Sequence, residues 1–164
     1  MPQTDSESIQ LARQLGLLLV RRGWKIATAE SCTGGSIGMI LTEVAGSSQW
    51  YDRGFITYSN AAKSELLGIP AAMIEDHGAV SREVARAMVV GALQHSQGDC
   101  AVSVTGIAGP SGGTPEKPVG TVLIGWAVRE KVSSEAFLFV GDRHQIRKQS
   151  VKAALCGMIR RLRT

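Results

Sequence analysis

The segment Thr28–Gly35, with the sequence TAESCTGG, lies between a short apolar run and a run of helix-forming residues. The apolar run around Trp24 and Ile26 predicts a buried strand, and residues 36–41 predict a helix. Glycines at a strand-to-helix turn let the backbone bend tightly and let a ligand approach it closely. The free N–H groups of the helix would point into the same space, where they favour an anion. Ser31, placed just before the turn, is therefore a candidate nucleophile.

The chain has 164 residues, of which 44% are hydrophobic and 20% are charged. This length and composition predict one globular domain, residues 1–164, with a sizeable buried core. The net charge of +4 suits an acidic or phosphorylated small substrate. It does not imply a nucleic-acid partner, because the chain has no ladder of arginine and aromatic residues. The basic residues clustered from Arg143 onward are expected to form a solvated helix face.

Neither export nor a membrane partner is expected. Acidic residues precede the first apolar stretch and no small-residue cleavage site follows it, so no signal peptide is predicted. No apolar run approaches the roughly 20 residues of a membrane span. Cys32, Cys100 and Cys156 are odd in number and lack CxxC spacing. They indicate a reducing compartment and argue against a structural zinc site, so we expect a cytoplasmic protein.

Hydrophobic periodicity and turn residues predict an alternation of strands and helices along the chain. A first helix has an apolar face from Ile9 to Leu19, a cap at Thr4–Ser6 and an end at Gly23. The other predicted elements are a strand at 24–27, a helix at 36–44, a strand at 52–58, helices at 60–67 and 71–76, a helix opening at 81–84, a strand at 99–105, a loop at 106–118, strands at 119–128 and 132–140, and a helix at 143–163. This order predicts an α/β fold, a three-layer α/β/α sandwich. Its mixed, mostly parallel sheet would gain an antiparallel strand from the final hairpin.

Three predicted strands end in residues that could take part in catalysis or binding: Ser31, Tyr58, and the pair Thr105 and Gly106. Ligands of such sheets bind beyond the carboxyl ends of the strands. We therefore expect these three ends to converge on a site.

A serine nucleophile needs a base. A Ser-His-Asp triad fits poorly, because His77, His95 and His144 have no clear acidic partner by spacing, and the GxSxG motif is absent. Lys63 is a better candidate, since it lies near the start of the helix that Ser59 caps. Proximity to the helix N-terminus and burial would both lower its pKa. The alternative is an ordinary solvated lysine.

Further candidates near the turn have two interpretations each. Glu30 is either a carboxylate that supports the site or a simple charge at a strand end, and the second is favoured. Cys32 is either a rival nucleophile or, more commonly for such a residue, a small buried hydrophobe. The loop 106–118, rich in glycine and proline, could aim N–H groups at an anion or could be a mobile surface loop.

Several long segments resemble one known family. They are TAESCTGG (28–35), GSSQWYDRGFITYSNAAKSELLGI (46–69), HGAVSREVARAMVVGAL (77–93), SVTGIAGPSGGTPEKPVGTV (103–122) and GDRHQIR (141–147). Together they are similar to the C-terminal domain of the competence/damage-inducible protein CinA, over nearly the whole chain. The N-terminal domain of full-length CinA has no counterpart here, so its pyrophosphatase activity is not carried over.

The resemblance implies a bacterial amidohydrolase that acts on the carboxamide of nicotinamide mononucleotide (NMN) and serves NAD recycling. It implies no metal and no cofactor. The family's serine nucleophile, lysine base and assisting tyrosine match Ser31, Lys63 and Tyr58. Backbone donors for the oxyanion and the substrate are expected from Thr33, Gly34, Gly35, Thr105 and Gly106. The glycine loop, at Gly112 and Gly113, and a basic residue, Arg143 or Arg147, are candidates for the substrate phosphate.

Two alternatives remain open on the sequence alone. A catalytically silent nucleotide-binding or regulatory module could have the same fold. A Ser/Lys amidase could also act on another small amide or ester. A homo-oligomer is expected of so small a metabolic enzyme.

Overall fold

A computed structural model describes residues 5–164 of the protein. In this part of the chain the helices are α1 (Ser6–Arg22), α2 (Ser36–Thr42), α3 (Asn60–Leu67), α4 (Ala71–His77), α5 (Arg82–Gln94) and α6 (Arg143–Leu162), and the strands are β1 (Ile26–Glu30), β2 (Tyr51–Ile56), β3 (Cys100–Gly106), β4 (Thr121–Val128) and β5 (Lys131–Leu138). A short 3-10 turn spans Ser47–Gln49. Asp5 caps α1, as predicted, by accepting a hydrogen bond from the N–H of Glu7; Thr4 lies outside the described residues.

The five strands form one mixed sheet in the order β2-β1-β3-β4-β5. β1 pairs in parallel with both β2 and β3, while β4 pairs antiparallel with β3 and with β5. Four strands therefore run in one direction and β4 alone runs in the other. The carboxyl ends of β1, β2 and β3 consequently lie side by side at one edge of the sheet.

Helices cover both faces of the sheet. One face carries α1, α2 and α6 over alternate strand residues such as Ile26, Val102 and Ile124. The other face carries α3, α4 and α5 over Ala27 and Ala101, which point the opposite way because side chains alternate along a strand. Large side chains face the first layer and alanines face the second, so the helices of the second layer lie close to the strands.

The predicted α/β sandwich with a mostly parallel sheet is confirmed. The bounds differ most at β1, which continues to Glu30, while β2 stops at Ile56 and β5 at Leu138, each two residues earlier than predicted. β1 lies between two parallel neighbours and is buried along its whole length. Polar residues that local pattern assigns to the turn are therefore held in the strand by the ladders on both sides. None of the described helices is long and apolar enough to cross a membrane.

Candidate active site

Ser31 lies where the carboxyl ends of the three parallel strands meet. Its N–H donates to the carbonyl oxygen of Val104 in β3 at 2.9 Å, and the N–H of Thr57, just after β2, donates to the carbonyl of Glu30 at 2.8 Å. These bonds extend the strand ladders past the end of β1 and fix the start of the turn. Gly34 and Gly35 have φ angles of 59° and 99°, which favour glycine, and they reverse the chain into α2. Ser31 is thus held on a rigid edge with 7% of its surface exposed.

Lys63 is brought to Ser31 by α3. Ser59 caps this helix by accepting from the N–H of Ala62, and Lys63 follows one turn later. The Lys63 side chain is 1% exposed, and its Nζ lies 3.1 Å from Ser31 Oγ. The alternative of a solvated lysine is therefore wrong. Burial lowers the pKa of Lys63, and the nearby Cys32 thiol opposes this to a smaller extent.

Two backbone carbonyls complete the surroundings of the amine. Lys63 Nζ lies 2.9 Å from the oxygen of Thr57 and 3.2 Å from the oxygen of Tyr58. A neutral amine has two N–H donors and one lone pair. With both donors given to these carbonyls, the lone pair remains for the Ser31 hydroxyl. In the charged state the third N–H donates to Ser31 Oγ, and the hydroxyl faces the Tyr58 carbonyl at 3.4 Å.

Tyr58 contacts the amine through its backbone and not through its phenol. Its side chain is 63% exposed and its hydroxyl receives a hydrogen bond from Arg143 Nη2 at 3.2 Å. The other terminal nitrogen of Arg143 donates to the carbonyl of Gly109 at 2.8 Å. Arg143 therefore joins three segments at the rim of the site: α6, the segment between β2 and α3, and the loop 106–118.

Glu30 has a structural role that the favoured interpretation of a simple strand-end charge missed. It is 2% exposed, and its carboxylate accepts from Thr33 Oγ1 at 2.7 Å and from the N–H groups of Ile37 and Gly38 at 2.9 and 3.1 Å. The expectation that the N–H groups of α2 are free for a ligand is wrong at these positions. The buried Glu30 carboxylate already accepts these hydrogen bonds and offsets the positive end of the helix dipole.

The remaining candidate binding residues are spread along the same edge. The hydroxyl of Thr105, which is buried, donates to the carbonyl of Ala79 at 3.0 Å and is not free for a ligand, and the residue is paired with Leu123 of β4. Gly106 pairs with Val122 at the end of β3. Gly112 and Gly113 lie in the exposed part of the loop, whose hydrogen bond to the rim runs through Gly109.

Cys32 and two of the histidines, His77 and His95, lack the features of catalytic groups. Burial raises the pKa of the Cys32 thiol to about 11, which keeps it protonated near neutral pH. His95 Nδ1 lies 2.8 Å from the carbonyl of Gly91 inside its own helix end. His77 lies 3.8 Å from Glu83 at the surface.

The chain is similar to known proteins over nearly its full length. The family model of the CinA C-terminal domain matches residues 8–162. "Nicotinamide-nucleotide amidohydrolase PncC" of Escherichia coli (strain K12) is 48% identical over 153 residues, which cover 93% of this chain and 93% of that protein. The protein of the same name from Pseudomonas putida is 50% identical over 149 residues, covering 91% of this chain and 93% of that one.

A solved structure has the same fold. The crystal structure of the competence/damage inducible protein CihA from Agrobacterium tumefaciens has a TM-score of 0.95 with this chain, at 42% identity, and each chain is covered completely. The match extends over every strand and helix that holds the Ser31–Lys63 pair. The chain belongs to the CinA C-terminal domain family.

Proposed function

We propose that this protein hydrolyses the carboxamide of NMN to nicotinate mononucleotide and ammonia. The buried amine of Lys63, 3.1 Å from Ser31 Oγ, is the observation that carries the proposal. A lysine without a carboxylate among its hydrogen-bond partners, enclosed by a hydroxyl and two carbonyls, is suited to act as a base in its neutral form. The relatives named nicotinamide-nucleotide amidohydrolase support this choice of substrate.

The first half of the reaction makes an acyl-enzyme. Neutral Lys63 takes the proton of Ser31 as Oγ bonds to the amide carbon, and the carbonyl oxygen becomes an oxyanion. Backbone N–H groups of the 33–35 turn that are unpaired in the described chain, and donors at the 105–106 strand end, stabilise that charge. Each such donor is typically worth about 3–4 kcal/mol of barrier. The Lys63 ammonium then gives its proton to the leaving nitrogen, the C–N bond breaks, and ammonia departs.

The second half regenerates the serine. Water attacks the acyl carbon and gives a proton to Lys63, the bond between the carbon and Ser31 Oγ breaks, and Lys63 returns the proton to Oγ. The carbonyls of Thr57 and Tyr58 hold the amine in place through both halves. The route needs only a nucleophile, a base and water.

The rim of the site suits the rest of the substrate. Tyr58 presents an exposed phenol that can contact the pyridine ring or assist the proton transfer. Arg143, exposed beside it, carries a charge that can pair with the phosphate after releasing Tyr58 or Gly109. Gly112 and Gly113 offer backbone N–H groups in the same loop. We further propose that residues 1–164 form a single domain, that the enzyme is a cytoplasmic homo-oligomer, and that it serves NAD recycling.

The test is ammonia release from NMN by the purified protein, in a buffer that contains a chelator. We expect turnover by the wild type and a loss of at least about a thousandfold in Ser31→Ala, because removal of a nucleophile leaves only binding and oxyanion stabilisation. A folded wild type that releases no ammonia would favour a silent nucleotide-binding module. Undiminished release by Ser31→Ala would remove the proposed nucleophile.

A further inference from the structure

The turn after the nucleophile is held from its carbonyl side by a side chain more than 110 positions away in the sequence. Arg147 Nε donates to the carbonyl oxygen of Cys32 at 3.1 Å, and Arg147 Nη2 donates to that of Thr33 at 3.2 Å. One planar guanidinium thus binds two consecutive carbonyls. Such a fork fixes orientation better than a single point charge does.

Fixing a carbonyl also fixes the N–H of the next residue. The peptide group is planar and trans, so the N–H of Thr33 points away from the Cys32 oxygen that Arg147 holds. No hydrogen bond joins this N–H to any residue between 5 and 164. The N–H of Gly34, in the next peptide group, already donates to the carbonyl of Ser31 at 3.0 Å. The Thr33 N–H, on a fully buried residue, is therefore a donor without a partner in the described chain, two residues beyond the nucleophile.

The two peptide groups depend on Arg147 to different extents. The Thr33 carbonyl also accepts from the N–H and the hydroxyl of Ser36, at 3.0 and 2.6 Å. In the described chain, Arg147 supplies the one hydrogen bond to the Cys32 carbonyl. The peptide group that carries the Thr33 N–H is therefore the one that loss of Arg147 would release.

Helix α2 cannot replace this donor. The N–H groups of Ile37 and Gly38 are given to the Glu30 carboxylate, as is the hydroxyl of Thr33. The turn is thus held by an anion that accepts from one side and by a cation that donates from the other. Its backbone is left to stabilise the charge that forms on the substrate.

We propose that Arg147 is a positioning residue, which holds the Cys32 carbonyl so that the Thr33 N–H faces the oxyanion. The inference rests on the proposed function and names one donor that the reaction would use. It also gives two roles to α6. Arg143 holds the rim through Tyr58 and Gly109, and Arg147, one turn later on the same helix, holds the turn.

The test compares Arg147→Met and Arg147→Lys with the control Lys148→Met. Lys148 is the next residue of α6 and its Nζ lies 3.8 Å from Asp5, away from the turn. For hydrolysis of NMN by Arg147→Met, we expect kcat to fall at least about 30-fold with KM changed less than about threefold, because an oxyanion donor acts in the transition state. Arg147→Lys should recover part of kcat, and Lys148→Met should match the wild type.

Three kinetic results would overturn the inference. An unchanged kcat in Arg147→Met would show that the turn keeps its geometry without Arg147. A raised KM with normal kcat would make Arg147 a phosphate ligand. If Arg147→Met fails to fold, the kcat of Arg147→Lys becomes the deciding measurement. A wild-type kcat in Arg147→Lys would contradict the need for a planar guanidinium.

A second readout does not depend on NMN. A fluorophosphonate forms a bond between phosphorus and Ser31 Oγ and releases fluoride, while Lys63 takes the proton and the phosphoryl oxygen gains negative charge. We expect labelling of Ser31 to slow at least about tenfold in Arg147→Met but not in Lys148→Met. A wild type that is labelled yet inactive on NMN would refute the proposal that NMN is the substrate, and the inference about Arg147 would stand. Equal labelling of Arg147→Met and wild type would refute the inference, and no labelling of the wild type would refute both.

Discussion

At the scale of single residues, the site depends on a lysine held where its charge is disfavoured. Lys63 Nζ has a hydroxyl and two carbonyls as hydrogen-bond partners and is almost fully buried. Those partners accept or donate hydrogen bonds without supplying a countercharge, so burial acts on the pKa of the amine almost alone. Desolvation beside Ser31 therefore favours the neutral amine, which is the form of Lys63 that can act as a base.

Cys32 offers a test of which neighbouring side chain is the nucleophile. Its thiol is buried and its pKa is raised to about 11, so it should not attack a substrate near neutral pH. We expect Cys32→Ala to keep NMN hydrolysis within about threefold of wild type, because the Cys32 carbonyl that Arg147 holds is unaffected. Steady-state ammonia release measures this. A loss as large as that of Ser31→Ala would transfer the nucleophile to Cys32.

At the scale of elements, α2 is held by the strand that precedes it. The N–H groups of its second and third residues, Ile37 and Gly38, donate to the buried carboxylate of Glu30, and no side chain caps the helix at Gly35. A helix of seven residues has little stability of its own. The Glu30 carboxylate therefore supplies much of what keeps α2 and the turn in place.

Replacement of Glu30 should cost stability as well as activity. In Glu30→Ala two helix N–H groups and the Thr33 hydroxyl lose their acceptor, and we expect the free energy of unfolding to fall by about 3 kcal/mol. Glu43→Ala, at the exposed end of the same helix, serves as the control and should change it by less than about 0.5 kcal/mol. Urea unfolding measures both. Equal stability of the two variants would contradict this role of Glu30.

The elements also show how far local sequence patterns can predict the site. The alternation of strand and helix patterns along the whole chain predicts the fold class. The serine and the glycine turn lie within eight consecutive residues, so the place of Ser31 could be predicted. The burial of Lys63 could not, because local pattern places it on a polar helix and only the packing of α3 against the strand ends encloses it. The contact between Arg147 and Cys32 joins distant parts of the chain, and no local pattern indicates it.

At the scale of the whole molecule, the two ends of the sheet differ in function. The carboxyl ends of β1, β2 and β3 hold the catalytic candidates. At the opposite end, a cavity of about 830 Å³ is lined by Trp24 and several basic side chains. Those cations are largely engaged: Arg22 donates to Leu162 O, and Arg161 to Gly157 O, near the end of α6. They offset the negative end of that helix, so this cavity is less suited to an anionic substrate than the edge that holds Ser31.

The pH dependence of kcat/KM for NMN tests the neutral-lysine mechanism most directly, because this ratio reports ionisations of the free enzyme. The base must be neutral, and burial lowers its pKa from the usual value of about 10.4. The wild type should therefore lose activity as the pH falls through the lowered pKa of Lys63, about tenfold for each pH unit, and Lys63→Met should lack this activity at every pH. A wild-type profile that stays flat from acid to alkaline pH, or a Lys63→Met variant with the wild-type profile, would contradict the neutral-lysine mechanism.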